Sequence, residues 1–219
     1  MLVLTPLEAR VLGVLVEKQA TVPDTYPLSV NALVAGCNQK TARHPVIEAT
    51  EAEVLTALDA LKSRSLVFEG SGARVVRYEH NLARALQLPG AAVALLAVLM
   101  LRGPQTAAEL RLNCERLHRF ADISSVEGFL DELAEHDPPR VVKLARAPGA
   151  REPRWAHLLC GEVAADAYAA VGGGAASDPG VTAGELAAVK AELARQSDEL
   201  AALRALVHRL ATELGLPPA

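Results

Sequence analysis

The sequence predicts a mainly α-helical protein with small β wings, and three observations point to this fold class. Hydrophobic residues make up 51% of the 219 residues but aromatic residues only 3%, so the core must be built from Leu, Val and Ala, a helix-forming set. A helix-start signal recurs along the chain. The order of predicted helices and strands also occurs twice. These features argue against an all-β sandwich.

The helix-start signal is the capping box, a Ser or Thr followed three residues later by Glu. Its two side chains satisfy backbone N–H groups that have no partner inside the helix. Five boxes occur: Thr5/Glu8, Thr50/Glu53, Thr106/Glu109, Ser124/Glu127 and Thr182/Glu185. A sixth helix is predicted to begin at Ser29, after a Pro-containing stretch. The first helix carries apolar residues at three- and four-residue spacing, which predicts one buried stripe.

Two segments of alternating residues predict short β-hairpins. The first joins residues 66–69 to 74–78 through a glycine-rich turn, and the second joins 140–144 to 154–158. In each half, the hairpin follows three predicted helices. Three helices and a hairpin make a winged helix-turn-helix, so the sequence predicts two such domains in tandem.

The repeat can be followed residue by residue. Residues 11–16 match residues 95–100 at a spacing of 84. Matches in the second helix lie 77 residues apart: Ser29 with Thr106, Leu33 with Leu110 and Cys37 with Cys114. In the third helix we match Val54 with Phe129, Leu55 with Leu130 and Leu58 with Leu133, although the capping boxes would align one residue differently. The predicted domains therefore cover residues 1–83 and 84–160.

The last quarter of the chain has a different character. Residues 161–181 are rich in Gly, Ala and Pro and predict a flexible linker. Residues 182–216 predict a coiled-coil helix, because apolar residues and one Gln follow the heptad seam: Leu186, Val189, Leu193, Gln196, Leu200, Leu203, Val207, Leu210 and Leu214. This seam favours a parallel homodimer. The alternative is a helix that folds back on its own domains.

The charge and the cysteines limit the function classes. The net charge is −4, and residues 161–219 supply it with 8 acidic and 4 basic residues, so the two predicted domains are nearly neutral. The longest apolar run, residues 91–101, is too short for a bilayer span of about 20 residues. Three cysteines give no disulfide framework. We expect a soluble, cytoplasmic protein without a membrane partner.

Several long strings carry a family resemblance. They are residues 26–33, residues 37–41, residues 101–106 with Glu109-Leu110, and Pro148-Gly149 followed by Arg151-Glu152, Arg154 and His157-Leu158. In these strings the sequence resembles the YceH-like proteins, a bacterial family with two tandem winged helices. The resemblance covers about residues 4–160, with Trp155 where the family would have Tyr. It implies the fold but no reaction, substrate or partner.

Basic residues make nucleic-acid binding the leading functional hypothesis. Winged helices place their third helix in the major groove of DNA and a wing on the backbone. The candidate phosphate contacts lie in the polar loop after the second helix and around both wings: Lys40, Arg43, Lys62, Arg64, Arg74, Arg77, Arg140, Lys143, Arg146, Arg151 and Arg154. Asn38 and Gln39 could read base edges in the same loop, or the loop residues could merely shape the turn.

Acidic residues in the third helices weaken this hypothesis. The second copy carries carboxylates and no basic residue: Glu127, Asp131, Glu132, Glu135 and Asp137. In the first copy, Glu51, Glu53 and Asp59 oppose Lys62 and Arg64. We therefore predict a non-enzymatic, DNA-associated regulatory protein. The alternative is a scaffold that docks a basic protein partner on its winged helices.

Metal and enzyme hypotheses are weaker. The pairs Cys114/His118 and His157/Cys160 would offer a Cys₂His₂ zinc set. However, Cys114 repeats the position of Cys37, which indicates two small core residues instead. The sequence has neither a glycine-rich phosphate loop nor a nucleophile elbow. We expect no catalytic residues, no metal and no cofactor.

Overall fold

A computed structural model describes residues 3–70, 75–146 and 151–163, together with Arg195. These residues are mainly helical, with two small antiparallel sheets. Most of the predicted linker, the capping box at Thr182/Glu185 and the predicted coiled-coil helix lie outside the described residues, apart from Arg195. Arg74 of the first wing lies outside them as well.

The first half begins with three helices and ends in a hairpin. The helices are α1 (Pro6–Thr21), α2 (Val30–Cys37) and α3 (Glu51–Ser63), with a short 3-10 helix, Pro23–Thr25, between α1 and α2. Strands β1 (Val67–Gly70) and β2 (Arg77–His80) pair antiparallel. A short helix, α4 (Leu82–Leu86), then leads into the second half.

The second half repeats this order. Its elements are α5 (Gly90–Arg102), α6 (Ala107–Cys114), α7 (Ile123–Glu135), β3 (Val141–Lys143) and β4 (Trp155–His157). Each hairpin also gains one bridge to the segment before its half's second helix: Leu28 pairs with Tyr78, and Gln105 with Trp155. Both bridge residues and both partners are related by the 77-residue spacing found in the sequence.

Most of the predicted helix starts are confirmed. Full capping boxes form at Thr5, Thr50 and Thr106, and the Ser29 hydroxyl caps α2. The box predicted at Ser124/Glu127 is wrong. Helix α7 begins earlier because the Asp122 carboxylate accepts a hydrogen bond from the Ser125 N–H at 2.7 Å. Asp is as strong an N-cap as Ser.

The repeat register predicted for the third helix is also wrong. The buried residues Val54, Leu58 and Leu61 of α3 correspond to Val126, Leu130 and Leu133 of α7. The true spacing is 72 residues, which also relates the two N-caps, Thr50 and Asp122. The prediction slipped by three residues, since a helix returns to nearly the same face after three or four residues.

The two halves share one hydrophobic core. Helices α1 and α5 pack against each other, and residues 91–101 of α5 are all buried. A Cβ on Gly13 would lie 3.0 Å from Leu101 Cγ, so glycine allows the close approach of the two helices. The predicted domain boundary at residues 83/84 falls within α4. Division into two domains stays a prediction.

Among the described residues, no helix combines the length and apolarity needed to cross a bilayer.

Candidate functional site

The loop after α2 holds Arg43 inside the protein. The Arg43 side chain is 0% exposed and donates to the Glu17 carboxylate at 2.6 and 3.0 Å and to Gly36 O at 3.0 Å. Burial alone would raise the pKa of Glu17, but the hydrogen bonds and charge of Arg43 hold it below its usual value. Arg43 is therefore a structural residue and has no donor left for a phosphate.

Other polar residues of this loop also serve its own structure. The Asn38 amide donates to Ala49 O at 2.9 Å and accepts from Ala49 N–H at 2.8 Å. Gln39 Oε1 accepts from Arg43 at 2.8 Å and from Lys18 at 3.2 Å. These contacts favour the alternative in which the loop residues shape the turn. Lys40 is exposed and has no ion pair with a described residue.

The candidate cations of the first wing also have internal partners. Hydrogen bonds to Glu69 and Asp59, at 2.7 and 2.9 Å, raise the pKa of Lys62 above its usual value. Arg64 donates to Glu8 and to Val3 O, both at 2.9 Å. Arg77 donates to Pro27 O at 2.8 Å and to Thr25 O at 3.1 Å.

In the second wing, some basic residues are bonded within the protein or partly buried, and others are exposed to solvent. Arg154 donates to Pro104 O at 2.8 Å, the same contact that its equivalent Arg77 makes, and to Glu109 at 3.0 Å. Arg140 is half-buried, its buried Nε has no partner, and burial lowers its pKa.

Three basic residues of this wing point into solvent, and we call them the second-wing cations: Lys143, Arg146 and Arg151. Lys143 Nζ lies 5.2 Å from the centroid of the Trp155 ring, a cation–π distance. None of the three has an ion pair with a described residue. This wing therefore keeps exposed positive charge.

The third helices present the opposite charge. On α7 the exposed carboxylates have no ion pair within the described chain, and we call them the α7 acidic face: Glu127, Asp131, Glu132 and Glu135. On α3 the exposed carboxylates are Glu51, Glu53 and Asp59, and the nearby Lys62 is already paired. Both helices would repel a phosphate backbone. The charge balance of α3, ambiguous in the sequence, is therefore acidic.

One exposed basic stretch was not singled out from the sequence. It lies between α6 and α7, where Arg116, His118 and Arg119 are exposed. Arg119 is only 3.8 Å from Glu115, a loose surface pair. The signal in the sequence is two arginines within four residues after the predicted second helix, outside both predicted wings.

The structure does not bring the two Cys/His pairs together. Across the described ranges, no group of three or more His, Cys, Asp and Glu could hold a metal ion. His118 is exposed and packs on Phe120. Cys114 is buried, and its thiol donates a hydrogen bond to Ala94 O at 3.7 Å. Burial raises the pKa of Cys114 to about 12 and that of Cys37 to about 11, which disfavours the thiolate that a metal requires.

Comparison with known proteins now places the chain. A family model described as "Protein of unknown function, DUF480" matches residues 4–150. The chain belongs to the DUF480 family. The earlier resemblance to YceH-like proteins agrees with this DUF480 membership.

The similarity to DUF480 relatives extends beyond that match. A UPF0502 protein of Leptothrix cholodnii is 69% identical over 215 residues, which cover 97% of this chain and 96% of the relative. A UPF0502 protein of Burkholderia multivorans is 68% identical, covering 97% and 90%, and one of Paraburkholderia xenovorans is 66% identical, covering 97% and 89%. These DUF480 relatives therefore match the acidic C-terminal quarter as well as residues 4–150.

Proposed function

We propose that this chain is a non-enzymatic protein of two tandem winged-helix modules that docks a basic protein partner on its third helices. The repeated order of three helices, a hairpin and a bridging residue supports the winged-helix interpretation. The homodimer predicted for residues 182–216 and the cytoplasmic location belong to the same proposal.

The charge of the third helices carries this proposal. A winged helix uses its third helix as the main contact with DNA. Here α3 and α7 both expose carboxylates, and neither offers an unpaired cation on its outer face. Electrostatic complementarity then favours a basic protein surface over a phosphate backbone. The exposed side chain of Ile123, at the start of α7, adds an apolar contact beside these charges.

A charge-reversal experiment tests the docking surface. The full chain with Glu127→Lys, Asp131→Lys and Glu135→Lys should lose a partner that copurifies with the natural sequence after nuclease treatment. A matched control reverses three exposed carboxylates elsewhere, Asp24→Lys, Glu79→Lys and Glu152→Lys, and should keep the partner. Equal retention by both variants, or a complex that disappears with nuclease, would argue against the proposal.

The second-wing cations support one other candidate function, weak association with DNA. Lys143, Arg146 and Arg151 are exposed and have no competing carboxylate contact among the described residues. Release of about 0.9 counterion per neutralised phosphate predicts a slope of roughly −3 for log affinity against log salt. Fluorescence anisotropy with a labelled duplex should show this slope.

A triple variant sharpens the DNA test. Replacing all three second-wing cations by Gln should flatten the slope, whereas Arg116→Gln and Arg119→Gln should change it little. Absence of duplex binding at about 50 mM salt, where three phosphate contacts matter most, would eliminate the DNA role.

A further inference from the structure

A small cavity lies beside β4 in the second half. Its volume is about 220 Å³, and it is lined chiefly by Gly103, Pro104, Ala156, His157, Cys160 and Gly161. None of these residues takes part in the α7 acidic face or in the second-wing cations. The cavity therefore requires a separate explanation.

The internal repeat shows what the first half places beside the equivalent histidine. At the 77-residue spacing, Gly103 corresponds to Tyr26 and His157 to His80. The Tyr26 ring packs edge-on against His80, with centroids 6.4 Å apart and an interplanar angle of 65°. Tyr26 Oη accepts a hydrogen bond from the His80 backbone N–H at 2.8 Å. The first half thus places a phenol ring against this histidine.

The second half has no side chain at the matching position. Gly103 has φ +73°, a conformation that side chains rarely adopt. The chain therefore cannot replace the missing ring at this position without strain. Its neighbour Pro104 still corresponds to Pro27, and Gln105 still pairs with Trp155 as Leu28 pairs with Tyr78. The strand bridge beside position 103 is retained, but the backbone at Gly103 differs from the extended Tyr26, and a Cβ on Gly103 would lie 3.5 Å from His44 Cδ2.

Among the described residues, the buried Nδ1 of His157 has no hydrogen-bond partner. In the first half, His80 Nδ1 accepts a hydrogen bond from the Leu82 N–H at 3.4 Å, and His80 Nε2 lies 2.7 Å from Gln19 Oε1. Burial lowers the pKa of His157 to about 4, so the imidazole is neutral near pH 7. A buried polar atom without a partner is uncommon in a folded protein. Here that atom belongs to a residue that lines a cavity.

The His157 backbone N–H also points away from its hairpin partner. The Trp155 N–H donates out of the ladder to Gln105 O at 2.7 Å, and the Leu158 N–H donates to Arg140 O at 2.8 Å. Because N–H groups alternate along an antiparallel strand, the His157 N–H points to the same side as that of Trp155. This is the side on which the His80 N–H meets Tyr26 Oη in the first half.

We propose that this cavity binds a small phenolic molecule, with the ring against His157 and the hydroxyl oxygen accepting the His157 backbone hydrogen bond. The volume is sufficient, since an engineered closed cavity of about 150 Å³ holds one benzene molecule, and here one side of the cavity is open to solvent. The ligand would reproduce in the second half what Tyr26 does covalently in the first.

The natural full-length chain provides the first test. A titration with 4-methylphenol, the side chain of tyrosine as a free molecule, is followed in ¹H–¹⁵N correlation spectra. The amides of His157, Gly103 and Gly161 should shift and saturate, while the His80 amide should not. Toluene, which lacks the hydroxyl, should bind about tenfold more weakly because one hydrogen bond is lost.

A cavity-filling variant provides the second test. Cys160→Phe should abolish the shifts caused by 4-methylphenol, whereas Leu112→Phe, at an exposed position of α6, should leave them unchanged. If Cys160→Phe does not fold, the titration of the natural chain with 4-methylphenol and toluene still tests the proposed binding. Absence of saturating shifts at His157, equal shifts at His80 and His157, or equal affinity for toluene would overturn the proposal.

Discussion

The two halves of the chain have the same framework but use their charged residues differently. In the first half, Arg43, Lys62, Arg64 and Arg77 all make internal contacts. In the second half, Arg154 keeps the contact equivalent to that of Arg77, but the second-wing cations and the α7 acidic face remain free of described ion pairs. Apart from the exposed Lys40, the described candidate cations of the first half therefore stabilise its own fold, whereas the second half keeps cations exposed on its wing and carboxylates exposed on α7.

The same contrast holds for apolar space. The first half packs Tyr26 against its wing histidine, and the second leaves a cavity beside the equivalent His157. The positions of helices, most caps and strand pairs recur in the two halves, because these features depend on local chemistry and core packing. The exposed side chains differ between the halves.

Removing Arg43, one of the two buried arginines of the first half, should have the largest effect on stability. Arg43→Met leaves the Glu17 carboxylate partly buried without its main partner, a change that typically costs about 3 to 5 kcal/mol. Arg146→Met, at an exposed second-wing position, should stay within about 0.5 kcal/mol. Urea unfolding of both variants measures the difference. A small, equal effect at the two sites would mean that the first-half cations are not structural.

Gly36→Ala tests the packing of α2 on α1 in the first half. A Cβ at this position would lie 2.6 Å from Val14 Cγ1. We expect a loss of about 1 to 3 kcal/mol from overpacking, although alanine is the better helix former by about 1 kcal/mol. The equivalent residue in the second half is Asn113, whose side chain is accommodated there beside Gln105. Asn113→Ala should not produce the same clash, and thermal unfolding of the two variants compares them.

Both hairpins contain a buried histidine, His80 on β2 and His157 on β4, and we expect these two residues to lower the stability of the fold in mild acid. Burial lowers the pKa of both His80 and His157 from the ordinary histidine value of 6.5 to about 4. Because the folded pKa is lowered, the unfolded chain binds protons first, and stability falls as pH drops from about 6.5 towards 4. At pH 5 each histidine should cost about 1 to 2 kcal/mol.

The variants His80→Asn and His157→Asn, alone and combined, measure how much each histidine contributes to the pH dependence of the unfolding free energy. Each single variant should remove part of the difference in unfolding free energy between pH 7 and pH 5, and the double variant most of it. An unchanged difference in the double variant would assign the acid sensitivity to other groups.

Local chemistry made much of the fold predictable from the sequence. Capping boxes, the Ser29 cap and the alternating wing residues all act within a few positions of the chain, so the three boxes at Thr5, Thr50 and Thr106 were correctly predicted. The start of α7 was missed because Asp122, two residues before the predicted cap, competes for the same role. The third-helix register failed because helical periodicity alone allows a slip of three residues.

The roles of the candidate site residues depended on contacts between distant parts of the chain. Arg43 meets Glu17, and Arg64 meets Glu8, across 26 and 56 positions. Basic residues in a wing or polar loop carry no sequence signal that separates a free charge from an internal ion pair. The cavity could not be predicted from the sequence either, because it depends on the difference between Tyr26 in the first half and Gly103 at the equivalent position in the second.

Crosslinking from the α7 acidic face shows directly whether a protein or a nucleic acid binds there. A photo-crosslinking amino acid is placed at Glu132, on α7, and at the exposed control position Asp24, in the full chain within cells of the species that encodes it. If a protein partner docks on α7, position 132 should give a protein adduct that withstands nuclease, and position 24 should give none. A nucleic-acid adduct at position 132, or the same products from both positions, would contradict the proposed docking.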